Sequence, residues 1–171
     1  IDYCYPIKEG IAPESSSAVV SLLGYDYRTA PRGPLEVVGA GLKLAKGDLA
    51  FRCNFATIDG INEGNILDAR AGRTLSTREA LELAAAINEG VKLPFKFEFH
   101  STYGHRGVLI FRGGFSDNIS NADPFYNNGL ASGGKPRIVF SKPLDDEDDS
   151  RLSAELLNSF IRQSHTILDK H

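Results

Sequence analysis

The sequence predicts an α+β fold, or an α/β fold with a mixed sheet, on the basis of three observations. Several short segments alternate apolar and polar residues with a period of two, which indicates β-strands. Two of these segments, 93–101 and 105–112, are separated by a short turn, which indicates an antiparallel hairpin. Segments with helical periodicity stand before, between and after the strands, so strands and helices do not alternate regularly.

The first predicted elements are a helix at 16–23, a second short helix at 35–44 and a strand at 48–57. Gly24 ends the first helix, because glycine adopts the left-handed conformation of a helix C-terminus without a steric penalty. A passage rich in turn residues, with Pro31, Gly33 and Pro34, separates the two helices.

The strand at 48–57 has two different faces. Cys53 alternates with two phenylalanines, which favours a small core residue at this position. Arg52 and Asn54 share the other face with small alanines, which leave room for a ligand above them. The two cysteines of the chain are too few for a disulfide framework or a structural zinc site.

Four elements are predicted in the middle of the chain: a strand at 66–69, a helix at 80–91 and strands at 93–101 and 105–112. Ser76 and Glu79 have the spacing of a capping box, and Gly90 is a candidate for the C-cap of the helix. One face of this helix carries Leu81, Ala84, Ala85 and Asn88. In the strand at 93–101 phenylalanines alternate with polar residues, which predicts an antiparallel or edge position.

The last part of the chain is predicted to hold a long loop, a short strand and a long helix. Residues 113–135 show no periodicity, and a loop of this length inside a compact domain is usually functional or disordered. Residues 137–141 form a short strand. The acidic run 145–149 is an exposed segment that complements the N-terminus of a helix at 151–170.

Size and charge limit the class of protein. A chain of 171 residues corresponds to one domain, or to one domain with an appendage. The net charge of −3 argues against nucleic-acid binding by phosphate neutralisation. No apolar run approaches the ~20 residues of a membrane span and no secretory signal is present, so we expect a cytoplasmic protein. The absence of methionine indicates part of a longer translation product.

Arginine accounts for 11 of the 19 basic residues, and its planar fork suits phosphate and carboxylate groups. Four arginine sites are candidates for anion binding: Arg52 with Asn54, the pair Arg70 and Arg73, His105 with Arg106, and Arg112. The alternative is that each is a solvated surface residue, although Arg52 lies on a strand that is expected to be buried. No second ligand stands at metal spacing from His105, which argues against a zinc site.

Three consecutive serines, residues 15–17, lie between a proline turn and an apolar run. One of them can cap the helix that follows, and the others are either surface residues or a nucleophile at a helix N-terminus. No histidine or lysine lies nearby in sequence to activate a serine hydroxyl. The sequence also offers no convincing cluster of carboxylates and histidines for a metal.

Several runs of residues resemble archaeal-type cofactor-independent phosphoglycerate mutases of the alkaline phosphatase superfamily. The similarity begins with GIAPES at 10–15 and LLGYD at 22–26. It continues with RGPLE at 32–36, GAGL at 39–42, DLAFRCNFAT at 48–57, DARAGR at 68–73 and HR at 105–106, and it covers essentially the whole chain.

The resemblance implies an alkaline-phosphatase-like core with an inserted domain, and interconversion of 2- and 3-phosphoglycerate through a phosphoserine. Residues 1–26 would carry the nucleophile segment of the core, with Ser15 as nucleophile, and residues 27–171 the inserted substrate-binding domain. The substrate-binding candidates carried over by motif are Arg52, Asn54, Arg70, Arg73, His105 and Arg106. Two divalent ions, manganese, magnesium or zinc, would be held mostly outside this chain, apart from a contact with Ser15, and no 2,3-bisphosphoglycerate is needed.

The implied partners are a small phosphorylated carboxylate and the remaining phosphatase-like core, without nucleic acid or membrane. One departure is Ser16, where the family commonly has aspartate. Two alternatives therefore stay open: another phosphomonoester mutase or phosphatase of the same superfamily, and a non-catalytic sugar-phosphate-binding module. In every version the isolated chain is expected to be inactive.

Overall fold

The computed structural model describes residues 15–26, 31–62, 64–124 and 136–171, and only the backbone of residues 15–17. The helices of this part are α1 (Ser15–Leu22), α2 (Arg32–Gly39), α3 (Thr77–Gly90) and α4 (Asp148–Leu168). The strands are β1 (Leu49–Asn54), β2 (Thr57–Ile58), β3 (Ile66–Asp68), β4 (Phe97–Ser101) and β5 (Arg106–Phe111).

A three-stranded antiparallel sheet organises the fold, in the order β1-β5-β4. The register places Leu49 of β1 and Phe97 of β4 on either side of Phe111 in β5. Strands β2 and β3 form a separate antiparallel pair. The predicted α+β class is therefore confirmed, as are the hairpin and the edge position of the phenylalanine-rich strand.

One face of the sheet carries the larger core, beneath α3 and α4. Its buried residues include Leu109 and Phe111 of β5, Phe99 of β4 and Phe160 of α4. Aromatic rings meet there mostly edge to face, with the centroids of Phe51 and Phe111 5.6 Å apart. The predicted alternation is thus correct, because the phenylalanines of β1 and β4 face the helices.

Helix α2 covers the opposite face of the sheet, where Val37 packs against Val108 and Ile110 with no solvent exposure of any of the three. The helix predicted at 35–44 is wrong in its bounds, because α2 begins at Arg32 and ends at Gly39. Pro34 is compatible with this start, since the first turn of a helix does not use its backbone N–H groups.

Gly33 allows α2 to approach the sheet closely. A Cβ at this position would lie 2.0 Å from the carbonyl oxygen of Ala50, an overlap that no side-chain rotation can relieve. We expect Gly33→Ala to destabilise the chain by about 2–3 kcal/mol, measured by urea unfolding. Gly39→Ala in the same helix is the control, since no atom lies within 4 Å of its Cβ position, and equal stability of the two variants would contradict the close packing.

Helix α3 shows the predicted capping box in full, with Ser76 and Glu79 exchanging side-chain and backbone hydrogen bonds. The helix ends at Gly90, and Val91 rather than Gly90 is its C-cap. A Cβ on Gly90 would lie 2.6 Å from the end of the Ile167 side chain of α4, so a larger residue here would displace that side chain. Leu81 is exposed, because the buried face of α3 consists of Ala80, Ala84 and Ile87.

The amide of Asn88 in α3 binds the edge strand β4. Its Oδ1 accepts a hydrogen bond from the Phe99 N–H at 2.9 Å, and its Nδ2 donates to the Phe99 carbonyl at 2.6 Å. The amide of Asn158 in α4 pairs in the same way with the backbone of Ser141. These contacts satisfy backbone groups that the small sheet leaves unpaired.

Other predicted elements differ from the structure at their ends. The strand predicted at 48–57 stops at Asn54 and is followed by β2. The segment predicted as a strand at 137–141 forms only an isolated bridge, between Arg137 and Asn65. Residues 113–124 contain no helix or strand, but they hydrogen-bond to residues 142–144. Helix α4 begins three residues earlier than predicted, within the acidic run.

No helix in the described ranges is long and apolar enough to cross a membrane. The longest, α4, has 21 residues, but it packs one side against the core and exposes the other. Its amphipathic pattern is that of a helix at the surface of a folded domain.

Candidate functional site

Polar and basic side chains gather at the end of the sheet where β1 leaves it and β5 enters it. Asn54 lies directly opposite Arg106 in the register, and Arg52 lies opposite Val108 two residues further along. All of these side chains are on the face that α2 covers, because successive residues of a strand alternate between faces. The predicted common face of Arg52 and Asn54 is confirmed, and Arg106 shares it.

His105 stands at the turn before β5, and its carbonyl oxygen accepts a hydrogen bond from the Phe55 N–H at 2.7 Å. Partial burial lowers the pKa of His105 below its usual value of 6.5. Three nearby positive charges lower this pKa further, those of Arg106, Arg70 and Arg73. His105 is therefore neutral over a wider pH range than a free histidine, and it lies within electrostatic reach of three guanidinium groups.

The loop after β3 forms a pocket of about 370 Å³. It is lined by Asp68, Ala69, Arg70, Gly72 and Arg73. The pocket thus combines two guanidinium groups with one carboxylate, and the carboxylate of Asp68 acts on the pKa of His105 in the opposite direction to the arginines. Four of the six predicted substrate-binding residues are brought together around this loop and the start of β5.

The backbone of this loop forms a single 3₁₀ turn at Ala71–Arg73 with three consecutive positive φ angles, 44°, 67° and 56°. Only Gly72 adopts this region without a steric penalty, and each L-residue there costs roughly 1–2 kcal/mol. The turn is held by the Arg73 N–H, which donates to the Arg70 carbonyl at 2.9 Å. The Arg70 N–H donates to Oδ1 of Asp68 at 2.7 Å. Strain of this kind concentrates at functional sites.

Arg52 lies apart from the loop and forms an ion pair with Glu36 of α2, with 3.5 Å between Nε and Oε2. The side chain of Arg52 is 17% exposed and that of Glu36 27% exposed, so the pair is largely removed from water. The strand that carries Arg52 is mostly half-buried rather than fully buried, and the partner that a buried charge needs is Glu36.

Arg112, the fourth arginine candidate, belongs to a structural ion-pair network. Its guanidinium binds both carboxylate oxygens of Glu98 at 2.9 Å, and it also contacts Asp48 and the Lys43 carbonyl. The hydrogen bonds from Arg112 lower the pKa of Glu98 to about 2. A guanidinium with three partners is already engaged, so Arg112 joins β4, β5 and the loop before β1.

Ser15 is the first residue of α1, and its side chain lies outside the described part of the chain. The residues that are described contain no group of three or more His, Cys, Asp or Glu side chains that would hold a metal ion.

Sequence reasoning did not single out Asp68 and Glu36 as members of the site. Asp68 carries a usable signal, since an aspartate two residues before Arg70 is typical of an Asx turn. Glu36 carries none, because its partner Arg52 lies on a separate element.

These features define an α+β domain with guanidinium groups and a histidine around a pocket at one end of an antiparallel sheet. A site of this kind is suited to small anions. The sequence model of 2,3-bisphosphoglycerate-independent phosphoglycerate mutases matches residues 3–171. The chain belongs to this family, as the resemblance indicated.

Relatives of that name share 43% identity in Methanopyrus kandleri and 45% in Thermococcus gammatolerans, each over 97% of this chain. The chain spans 39% and 38% of those proteins. The solved structure of the cofactor-independent phosphoglycerate mutase from Thermoplasma acidophilum matches with 35% identity and a TM-score of 0.65. That match covers 95% of this chain and 41% of the other.

Proposed function

We propose that this chain holds the substrate of a mutase that interconverts 2-phosphoglycerate and 3-phosphoglycerate, as part of a polypeptide of its relatives' length. The observation that carries the proposal is the group of three guanidiniums whose charges act on His105 beside the pocket. A phosphoglycerate bears a phosphate and a carboxylate. The planar guanidinium of arginine binds both groups through paired, charge-assisted hydrogen bonds to two of their oxygens.

The proposed reaction transfers the phosphoryl group twice. The Ser15 hydroxyl gives up its proton and its oxygen forms a bond to phosphorus while the ester bond to glycerate breaks, and the glycerate oxygen takes up a proton. The arginine site keeps the glycerate in place while it reorients. Its other hydroxyl then gives up its proton and bonds to phosphorus, the bond to Ser15 breaks, the Ser15 oxygen takes up a proton, and a phosphoglycerate isomer leaves.

In this proposal the residues of the site act by holding and orienting. Arg70, Arg73 and Arg106 neutralise the anionic groups, and Asn54 can hydrogen-bond a glycerate hydroxyl from its place opposite Arg106. His105, neutral because its pKa is lowered, can donate or accept a hydrogen bond without adding charge. Divalent ions, manganese by analogy with the family, would be held mostly outside this chain, apart from a contact with Ser15, and would supply charge neutralisation at the phosphoryl group. The phosphatase-like core is the partner, and the cytoplasm is the proposed location.

Retention of glycerate distinguishes a mutase from a phosphatase. Arg52 lies on the same sheet face as Asn54 and Arg106, and in this proposal it helps to hold the glycerate, so we expect Arg52→Ala to weaken retention. In the full-length protein that carries this chain, the mutase turnover of the variant should fall about tenfold or more. The ratio of hydrolysis, which yields glycerate and phosphate, to mutase turnover should rise. Assays of the phosphoglycerate isomer and of free phosphate measure the ratio of hydrolysis to mutase turnover. Arg78→Ala on α3 is the control, because that side chain is 90% exposed. Equal loss of both activities would contradict this role.

A panel of phosphomonoesters separates this function from the first alternative. Preference for a phosphosugar over phosphoglycerate would indicate another mutase or phosphatase of the same superfamily. Absence of metal-dependent turnover with every substrate, together with binding of phosphoglycerate, would indicate a non-catalytic module.

Anion binding should raise the pKa of His105. Positive charges lower this pKa in the free chain, so a phosphate dianion among them removes part of the effect and favours the imidazolium. Titration of the His105 ring signals by NMR, with and without inorganic phosphate, measures the change. In an Arg70→Ala variant the response should shrink, whereas an unchanged pKa on phosphate addition would place the anion elsewhere.

A further inference from the structure

We propose that Glu36 is a positioning residue that fixes the Arg52 guanidinium for the substrate. The inference rests on the proposed function, because it concerns the site where glycerate is retained. It assigns a role to helix α2, none of whose residues was a candidate for the site.

The geometry of the pair leaves the outer edge of Arg52 available. Glu36 contacts Nε, which is the inner nitrogen of the guanidinium, at 3.5 Å. Within the described ranges, the terminal nitrogens of Arg52 have no other ion pair or hydrogen bond. An arginine held through Nε can still present both terminal nitrogens to a carboxylate or phosphate, which is the paired arrangement that these anions favour.

Helix α2 holds Glu36 rigidly over the sheet. Gly33, Glu36 and Val37 share one helix face, because residues three and four apart are neighbours on a helix. Gly33 lies in backbone contact with Ala50, and Val37 is fully buried on Val108 and Ile110. The helix is therefore anchored to the sheet on either side of Glu36, which fixes the backbone position from which the carboxylate reaches Arg52.

Of the nearest side chains on this face of the sheet, Asn54 makes no hydrogen bond to Arg52 in the described part of the chain, and the other two cannot accept one. Val108 lies directly opposite Arg52 on β5, and Ala50 lies on the same face of β1. Neither has a side-chain group that can accept a hydrogen bond. Without Glu36 the Arg52 side chain would sample several rotamers. Substrate binding would then have to fix one of them, at a cost in conformational entropy.

The test compares Glu36→Gln with the wild type in the full-length protein. We expect the KM for 2-phosphoglycerate to rise about 3–10-fold with kcat changed less than about twofold, a factor that corresponds to about 0.7–1.4 kcal/mol. The ratio of hydrolysis to mutase turnover should rise as well. Glu82→Gln is the matched control, because Glu82 forms an exposed helix ion pair with Arg78.

A double substitution shows whether Glu36 acts through Arg52. In an Arg52→Ala background, Glu36→Gln should leave KM unchanged, because the group it positions is gone. An equal rise in KM in both backgrounds, or no rise in the wild-type background, would overturn the inference while leaving the proposed function intact. A wild-type protein without mutase activity would overturn the proposed function itself and the inference that rests on it. Thermal unfolding of each variant separates a loss of folding from a loss of binding.

Discussion

Replacing Arg70 and Arg73 together with alanine is expected to lower kcat/KM for phosphoglycerate by about 10²–10⁴-fold. Each lost charge-assisted hydrogen-bonding group removes about 1.5–3 kcal/mol, and two such groups act on one ligand. Both line the same pocket and both act on His105, so their effects should reach the same substrate group. Steady-state kinetics of the full-length protein in both directions of the reaction provides the measurement.

The substitution leaves the backbone requirement of the loop unchanged. Arg73 already adopts a φ of 56°, and alanine at this position has the same steric penalty as arginine. Loss of activity would therefore reflect the guanidinium groups rather than a refolded turn, and an unchanged thermal midpoint would verify this. The control is Arg78→Ala with Arg151→Ala, two arginines that are at least half exposed. A reduction in kcat/KM within about threefold would contradict the pocket as substrate site.

Arg112→Met is expected to have the largest effect on folding, a loss of about 3–5 kcal/mol in the free energy of unfolding. The substitution removes the guanidinium that neutralises Asp48 and Glu98, and the side chain of Asp48 is only 4% exposed. Removal of one partner from a buried ion pair leaves an uncompensated charge. Urea unfolding at neutral pH measures the loss, with Arg78→Met as the exposed control.

The loss of unfolding free energy in Arg112→Met, relative to the wild type, should become smaller at acidic pH. The hydrogen bonds from Arg112 lower the pKa of Glu98 to about 2, well below its usual value of 4.5. A carboxyl whose folded-state pKa is lowered stabilises the fold above its unfolded pKa, and this contribution is lost as the pH falls towards the folded value. Wild type and variant should therefore converge between about pH 4.5 and pH 2. A difference in unfolding free energy that stays constant across this pH range would show that the ion pairs of Arg112 are not its cause.

The sheet and its faces could be predicted from the sequence because they depend on local alternation. The phenylalanines of β4 and the Arg52 face of β1 follow directly from a period of two, and the register confirms both. The capping box of α3 is equally local, since Ser76 and Glu79 are three residues apart.

Features that depend on contacts between distant elements could not be predicted. The sequence predicts the start of α2 three residues too late, because Pro34 is typical of turns, whereas the first turn of a helix also accepts proline. Leu81 was placed on the same helix face as Ala84 by spacing, but the position of α4 and the sheet turned Ala80 and Ile87 inward instead.

In the candidate site, too, local features could be predicted from the sequence and contacts between elements could not. The sequence indicates an anion site because arginines near strand ends suit anions. The family resemblance then selects six residues: four arginines, one asparagine and one histidine. The sequence could not show how far each arginine is already engaged, because the partners lie on other elements: Glu36 contacts only Nε of Arg52, whereas Glu98 and Asp48 bind Arg112 through all three of its nitrogens. The three positive φ angles at Ala71–Arg73 also left no mark in the sequence beyond a single glycine.

The most direct test of the proposed function is the manganese-dependent interconversion of 2- and 3-phosphoglycerate by the full-length protein that carries this chain, beside its Ser15→Ala variant. We predict conversion in both directions without added 2,3-bisphosphoglycerate, and complete loss in the variant. Wild-type conversion that survives in Ser15→Ala, or a wild-type protein that converts neither isomer, would contradict the proposal.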